Sequence, residues 1–484
     1  MRALIGLLMV VSASGWAQRP NIVLIVADDL GWKDVGYNGS EISTPNIDAL
    51  ATGGVTLTQF YVHATCSPTR AALMTGQSPM RHGIYHALGK NTEGSLPLSL
   101  KLLPGYLGEA GYQPVMVGKW HLGHATAAML PMARGFEAVY GHFTGGVGYW
   151  DHVHGGGLDW HRDGVALREE GYATHLQAAE AVRLIKERDR GRPLFLYTAF
   201  SAPHLPNEAP AATIAEYAAI AAEPRRTHAA MVDELDRAIG RIIAALAEER
   251  MLENTLVWFF SDNGGLNPAA VSDGMRRWVA RLVALFGRPL PTGFLEFLRH
   301  NTEDGGSDNG PYRRGKGAVY QGGILVPSVL SWPGTLQPAS IRDRVTVQDV
   351  LPTLAEVVGF PLQATQAVDG AARWAAINGT SGPADVDFVA VSRDDRAVLS
   401  GHWKLVTSGA VRELYNLAKD PYETSELAAE QPRVVEQLEA VIDGIPQRES
   451  INQSLFEVML DMDRFGGDED RPPWADVVRQ VPGQ

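Results

Sequence analysis

Cysteine is nearly absent from this chain: there is one in 484 residues, Cys66. No disulfide can form within such a monomer, and a thiolate-rich zinc site cannot be built. Positive charge is also scarce. Lysine and arginine total 42 against 55 aspartates and glutamates, a net charge of −13, and only eight of the 42 are lysines. Without a net basic field to displace phosphate counterions, nucleic acid is excluded as a partner. Long apolar runs are missing as well. None reaches the roughly twenty residues needed to cross a bilayer, so no stable membrane span is expected.

What is present is globular composition, 45% apolar and 20% charged, long enough for two or three domains or for one large α/β domain with an appendage. The first 17 residues read differently. Arg2, an apolar run from Ala3 to Val11, and small residues ending Gly15-Trp16-Ala17 form the pattern of a secretory signal peptide. Arg19-Pro20 interrupts the competing reading, an N-terminal core strand. The mature chain is therefore expected to begin near Gln18 and to be exported, either periplasmic or secreted. An exported chain with one unpaired cysteine needs a use for it.

Four segments share one design. The continuous apolar run Ile22–Ala27 reads as a strand buried on both faces and stops abruptly at Asp28-Asp29. Tyr112–Val117 leads to Gly118-Lys119-Trp120-His121, Leu194–Thr198 to Ala202-Pro203-His204, and Thr255–Phe260 to Ser261-Asp262-Asn263-Gly264-Gly265. Helical periodicity at 172–186 and 226–250 alternates with these strands, which predicts an α/β layer architecture with a largely parallel sheet. Ligands of such sheets bind beyond the carboxyl ends of the strands. Each polar motif has a modest reading by itself: Asp-Asp as a cap or turn, His204 as a loop histidine, Lys119 as a solvated lysine. Together, Asp28, Asp29, Asp262 and Asn263 are a set of hard oxygen donors suited to Ca²⁺, and less well to Mg²⁺, rather than to zinc.

Cys66 stands in Thr65-Cys66-Ser67-Pro68-Thr69-Arg70, followed by Ala71-Ala72-Leu73-Met74-Thr75-Gly76. Pro68 is expected as the first helical residue and Gly76 as the stop. The cysteine then lies at a helix N-terminus, where amide N–H groups favour an anion, and Arg70 adds a fixed cation suited to a tetrahedral oxyanion. A small buried hydrophobe beginning a core helix and a nucleophilic thiolate with His121 or His204 as base remain alternative readings.

This stretch resembles the signature of the type I, formylglycine-dependent sulfatases of the alkaline-phosphatase superfamily. The motifs at 28–29, 118–123, 202–204 and 261–265 stand in that family's order, as do Gly315-Lys316-Gly317, Gln321–Pro327, Glu413–Leu417 and Asp420-Pro421. The Gly118–Gly123 and Gly171–Thr174 stretches are most similar to the arylsulfatase B, or N-acetylgalactosamine-4-sulfatase-like, branch. The resemblance implies an alkaline-phosphatase-like α/β domain with a small C-terminal domain, and removal of sulfate from a sulfated carbohydrate. It implies that a formylglycine-generating enzyme oxidises Cys66 to Cα-formylglycine during export. The hydrate of that aldehyde would attack sulfur, with Asp262 accepting its proton, and its second hydroxyl would allow sulfate to leave. Cys66, Asp28, Asp29, Asp262 and Asn263 would hold the metal. Arg70 and Lys119 would hold the formylglycine, Lys119 also lying against the substrate, and His121 would assist release. His204 and Lys316 would contact the sulfate, one of them protonating the leaving oxygen. Two readings compete: a phosphonate or phosphodiester hydrolase of the same superfamily, and a non-catalytic glycan-binding relative if Cys66 stays unmodified.

Asp262 and Lys316 lie farther apart than is usual in that family. The extra segment, about 271–306, has helical periodicity and a basic bias, and reads as a structural hairpin, a substrate lid, or a membrane or partner contact. Gly145–Tyr149 with Trp150 and Asp151 suits either a sugar subsite or a packed loop. Short strands at 388–391, 397–399, 402–406 and 411–415 precede a helix at 432–442. The expected division is thus a signal peptide at 1–17, a catalytic domain at 18–370 and a small α+β domain at 371–484, with antiparallel sheet and one helix.

Overall fold

Uninterrupted β-branched and aromatic side chains suit strands covered on both faces. The computed structural model places them so; it describes residues 19–90, 92–154, 157–267, 305–381 and 386–452, together with 281, 284–285 and 479–480. Five strands run parallel at the centre: β1 (Asn21–Ala27), β2 (Gln113–Lys119), β3 (Ala138–His142), β4 (Leu194–Ala199) and β5 (Thr255–Ser261). Their spatial order is β5-β1-β4-β2-β3. Ile22 of β1 stands opposite Phe195 on one side and Leu256 on the other. Pairing turns antiparallel at the margins, where Ser328–Ser331 lies on β5 and His161–Arg162 on β3. The class is the expected α/β one, with antiparallel borders added to the parallel centre.

Strand geometry sends alternate side chains to opposite faces. Ile22, Leu24 and Val26 pack with Leu73 and Leu354, whereas Val23, Ile25 and Ala27 pack with Ile185 and Met231. All six strand residues are fully buried, and removing a Val, Leu or Ile side chain from water contributes about 1.5–3 kcal/mol each. The helices that cover the sheet include α1 (Cys66–Thr75), α2 (Ala173–Glu187) and α3 (Glu223–Glu248). Helix α1 corrects one expectation. It starts at Cys66 itself, so Pro68 is its third residue rather than its first. The first turn of a helix has no partners for its N–H groups, so proline fits there equally well. Gly76 ends α1 in the left-handed region at φ 68°.

Four antiparallel strands, β6 (Phe388–Ser392), β7 (Asp395–Ser400), β8 (Trp403–Ser408) and β9 (Val411–Asn416), form a separate sheet. One face, with Ala390, Leu399 and Val406, packs against Tyr61, Val319 and Ile324. The other, with Val398 and Leu405, is covered by Leu438 and Ile442 of α4 (Pro432–Asp443). The expected signal peptide and nearly all of the 271–306 segment lie outside the described residues. Among the described residues no helix is long and apolar enough to cross a membrane.

Candidate active site

The parallel strands deliver their polar motifs to one edge. Asp28 and Asp29 follow β1, Lys119 closes β2, His204 stands in the loop after β4, and Asp262 and Asn263 follow β5. Local sequence permits the approach. Gly118, at φ 101°, lies so close to β4 that a Cβ would sit 1.9 Å from the Ala199 carbonyl oxygen. Asp29 and His121 also adopt positive φ, 68° and 59°. For non-glycine residues this costs about 1–3 kcal/mol each, strain of the kind that gathers at functional sites.

The charges are paired with care. Arg70, fully buried one turn into α1, donates from Nε (3.0 Å) and Nη2 (2.7 Å) to Asp262 Oδ2, and from Nη1 to the Lys119 carbonyl (2.7 Å). Lys119 Nζ donates to Asp28 Oδ2 at 2.5 Å, and Lys316 Nζ to Asp29 Oδ2 at 2.7 Å. Burial, together with the Asp262 charge, pushes the Asp28 carboxyl up to about 7 despite Lys119. Burial works against ionisation of Asp29 as well, but there Lys316, His204 and Lys119 win and hold the carboxyl below its ordinary range. The two neighbouring carboxylates are thus set apart by their cations.

Two buried oxygens in this cluster have no partner among the described residues: Asp28 Oδ1 and Asn263 Oδ1. An unpaired buried acceptor costs about 1–3 kcal/mol, more when charged. Asn263 Nδ2 is committed to Asp29 Oδ1 at 2.7 Å, which fixes the orientation of its amide. Asp28, Asp29 and His204 also bring potential ligand atoms within 4.8 Å of one another. Hard oxygen donors with two orphaned lone-pair groups fit an oxygen-seeking divalent cation.

Cys66 is buried at the start of α1, its Sγ 3.2 Å from His121 Nδ1. His121 Nε2 lies 2.8 Å from the Leu88 carbonyl oxygen and must donate to it. This assigns the tautomer and leaves a lone pair on Nδ1 facing the cysteine. Burial pushes the thiol pKa up, outweighing Lys119 and Lys316, while burial and Lys119 keep His121 neutral, well below its ordinary range. A thiolate nucleophile is therefore disfavoured. Ser67 ties this corner together, donating to the His121 carbonyl (2.9 Å) and accepting from the Leu88 N–H (3.0 Å).

His204 and Lys316 form the mouth. Their side chains are 17% and 16% exposed, against 0–2% for Asp28, Asp29, Arg70 and Lys119. His204 Nδ1 donates to the Leu205 carbonyl (2.8 Å), leaving Nε2 3.7 Å from Asp29 Oδ2. The glycine-rich loop expected as a sugar subsite or a packed loop reaches the site through its glycines. A Cβ on Gly145 would lie 2.9 Å from the His121 ring, and one on Gly146 3.0 Å from His204 Nδ1. Trp150, half exposed, instead packs tilted on Tyr172 at 5.1 Å. Asp151 accepts from the Val153 N–H (2.9 Å) and so shapes its own turn. Two positioning residues escaped the sequence reading. Asn309 accepts from the Gly265 N–H at 2.8 Å, and Ser307 donates to the Asp29 carbonyl at 3.3 Å.

Known proteins resemble this chain in sequence and in fold. A family profile described as Sulfatase matches residues 20–360. Arylsulfatase J of Mus musculus is 28% identical over 87% of this chain and 74% of its own length. N-acetylgalactosamine-6-sulfatase of Homo sapiens is 32% identical over 74% of this chain and 66% of its own. Neither of these is the 4-sulfatase suggested by the Gly118–Gly123 stretch. Among solved structures, Ps i-CgsB in complex with k-i-k-neocarrahexaose superposes with a TM-score of 0.78 at 28% identity, covering 92% of this chain and 97% of that one.

Proposed function

The chain belongs to the sulfatase family, enzymes that hydrolyse sulfate esters, and from that premise we propose that it desulfates a sulfated carbohydrate using Cα-formylglycine made from Cys66 and a divalent cation, Ca²⁺ ahead of Mg²⁺. Asp28, Asp29, Asp262 and Asn263, with the oxygen of residue 66, would hold the cation. Its charge, when bound, would polarise a sulfate oxygen. The formylglycine would supply, as its hydrate, a hydroxyl nucleophile at residue 66. A carbohydrate substrate is supported by the names of the relatives, one acting on N-acetylgalactosamine and one solved with a neocarrahexaose. We assign residues 18–370 to the catalytic unit and 371–484 to a packed module. Export, led by residues 1–17, would bring the chain past the formylglycine-generating enzyme on its way to the periplasm or the exterior.

The protein's own groups divide the work. Arg70, fixed by Asp262 and the Lys119 carbonyl, and Lys119 itself hold positive charge around residue 66. Asp262 Oδ2 is held by Arg70 and its Oδ1 accepts the Asp29 N–H at 3.3 Å, so the carboxylate is fixed in place, and on this reading it accepts the nucleophile's proton. His121 Nδ1, with its lone pair toward residue 66, takes the proton of the hydroxyl that remains when sulfate leaves. At the mouth, Asp29 holds the Lys316 ammonium above its ordinary pKa in spite of burial, so Lys316 clamps a sulfate oxygen as a permanent cation. Burial and Lys316 push His204 well below its ordinary range. With Nδ1 donating to the Leu205 carbonyl, the neutral ring presents Nε2 as an acceptor, so His204 would serve as general acid toward the leaving oxygen only after the bound sulfate has favoured its protonation.

The observation that carries this reading is Cys66 itself: a buried, un-ionised thiol among Arg70, Lys119 and Lys316, beside two orphaned oxygens. It is tested by mass analysis of the Cys66 peptide from chain produced in its natural host, alongside sulfate release from a panel of sulfated mono- and oligosaccharides. The peptide should show the thiol replaced by an aldehyde. An unmodified thiol in protein that still releases sulfate would sink the formylglycine mechanism.

A further inference from the structure

Outside every role assigned above, a row of three aromatic rings, Trp32, Tyr312 and Tyr422, is contributed by segments that adjoin the site in the chain, and two arginines stack on the nearby Tyr320. Trp32 follows Asp29 by three residues and Tyr312 precedes Lys316 by four, so chain length alone keeps their backbones within about 11 Å and about 14 Å of those two residues. The two rings meet edge to face, 5.1 Å between centroids. Tyr422, 45% exposed and contributed by the segment after β9, lies tilted against Tyr312 at 6.0 Å. Arg313 stacks over Tyr320 at 4.0 Å and is ion-paired to Glu413 at 3.0 Å. Arg314 differs. It is exposed, stands 5.4 Å over the Tyr320 ring, and pairs with no carboxylate among the described residues. Its backbone is held in the left-handed region, φ 63°, with Asn309 Nδ2 donating to its carbonyl at 3.3 Å. Strain thus presents, beside the mouth of the site, a guanidinium with no carboxylate partner among the described residues.

We propose that Trp32, Tyr312 and Tyr422, with Arg314 at their edge, form a second subsite that takes the sugar chain beyond the ring whose sulfate enters the catalytic cluster. The assignment rests on the carbohydrate-sulfatase reading. Aromatic faces offer a sugar ring an apolar surface, and the planar guanidinium fits a tetrahedral sulfate through paired N–H donors. Neither feature alone selects the occupant. A sulfated oligosaccharide carries both a ring face and an anion. The subsite draws on both parts of the chain, since Tyr422 comes from the segment after β9 and Trp32 and Tyr312 from the site loops.

The test is affinity electrophoresis of the full chain through gels containing κ-carrageenan, chondroitin sulfate or fucoidan, with dextran as the uncharged control. Sulfate release from 4-nitrophenyl sulfate by the parent is measured in parallel. The parent should be retarded in at least one sulfated gel and not in dextran. Tyr422→Ala and Arg314→Asn, the latter tolerant of the left-handed backbone, should each weaken the dissociation constant about fivefold or more. Tyr422→Phe should keep the parent's value, and melting temperatures should show that all three variants fold. The proposal is overturned if no sulfated gel retards the parent, or if Y422A and R314N run as the parent does. Absence of sulfate release by the parent would instead overturn the underlying sulfatase reading, whatever the gels show.

Discussion

Replacing Lys404 by methionine would strand a carboxylate. Lys404 and Glu423 are both fully buried, 2.6 Å apart. The other Glu423 oxygen accepts the Gln321 N–H at 2.7 Å, and Lys404 Nζ reaches Gln321 Oε1 at 3.4 Å. Burial holds the Lys404 pKa below its ordinary value even with Glu423 beside it, a sign of how dry this corner is. Breaking a buried pair by deleting one partner costs about 3–5 kcal/mol, because the remaining charge is uncompensated. Unfolding entropy of about 2.1 cal/mol/K per residue gives about 1 kcal/mol/K for a chain this long, so K404M should lower the melting temperature by about 3–5 °C. The double variant K404M/E423L, which removes both charges, should recover most of that loss. The effect should also reach the catalytic cluster. Gln321 opens the turn whose Gly323 carbonyl accepts the Gly264 N–H at 3.0 Å, one residue from Asn263. Scanning calorimetry of the three proteins, with aryl-sulfate turnover of each at 25 °C, measures both consequences. A K404M protein melting within about 1 °C of the parent, or a double variant no more stable than K404M, would refute the reasoning.

Lys316→Ala should lower kcat on an aryl sulfate by about 10²–10³, the range for removing one electrostatic clamp, and a loss below tenfold in steady-state kinetics would remove Lys316 from the chemistry. Chelation by EGTA should lower the melting temperature, and Ca²⁺ at about 100 times its dissociation constant should restore about 2.7 kcal/mol; no shift by differential scanning fluorimetry would argue against the cation. Asp159 concerns pH. Burial opposes its ionisation, but the His161 hydrogen bond, with those from the Phe143 and Thr144 N–H groups, keeps its pKa below the ordinary range. A depressed carboxylate stabilises the fold fully above the unfolded value near 3.9, and that contribution is lost as pH falls through the folded value. Asp159→Asn should therefore melt below the parent at pH 6, with the gap narrowing below about pH 4; a constant gap in melting temperature down to pH 2.5 would contradict this.

The strand ends were legible because physics marks them in one dimension. Ile22–Ala27 is apolar without a break, and Asp28-Asp29 cannot continue a strand buried on both faces. Strand order was not legible, since β1 lying between β4 and β5 depends on partners more than 170 residues away in sequence. The start of α1 escaped for a local reason: proline is tolerated throughout the first helical turn, so Pro68 could not mark its first residue. Gly145 and Gly146 were noticed for a sugar-binding composition, yet the structure uses their missing side chains to let the loop close on His121 and His204. Lys404 reads as an ordinary strand residue until Glu423 folds beneath it.

Charge arithmetic at the site explains why one cysteine suffices. Asp28 pairs with Lys119, Asp262 with Arg70 and Asp29 with Lys316, so the cluster is close to neutral as it stands. A neutral cluster has little to offer a sulfate ester in a molecule of net charge −13. On the proposed reading Asp28, Asp29, Asp262 and Asn263 would hold a divalent cation, whose charge would tip the balance to positive, with Lys316 left as the cation at the mouth. A thiolate at residue 66 would bring a further negative charge and undo that balance. A neutral hydrate at the same position would not, and the burial that keeps the Cys66 thiol protonated is the same pressure acting on the unmodified residue.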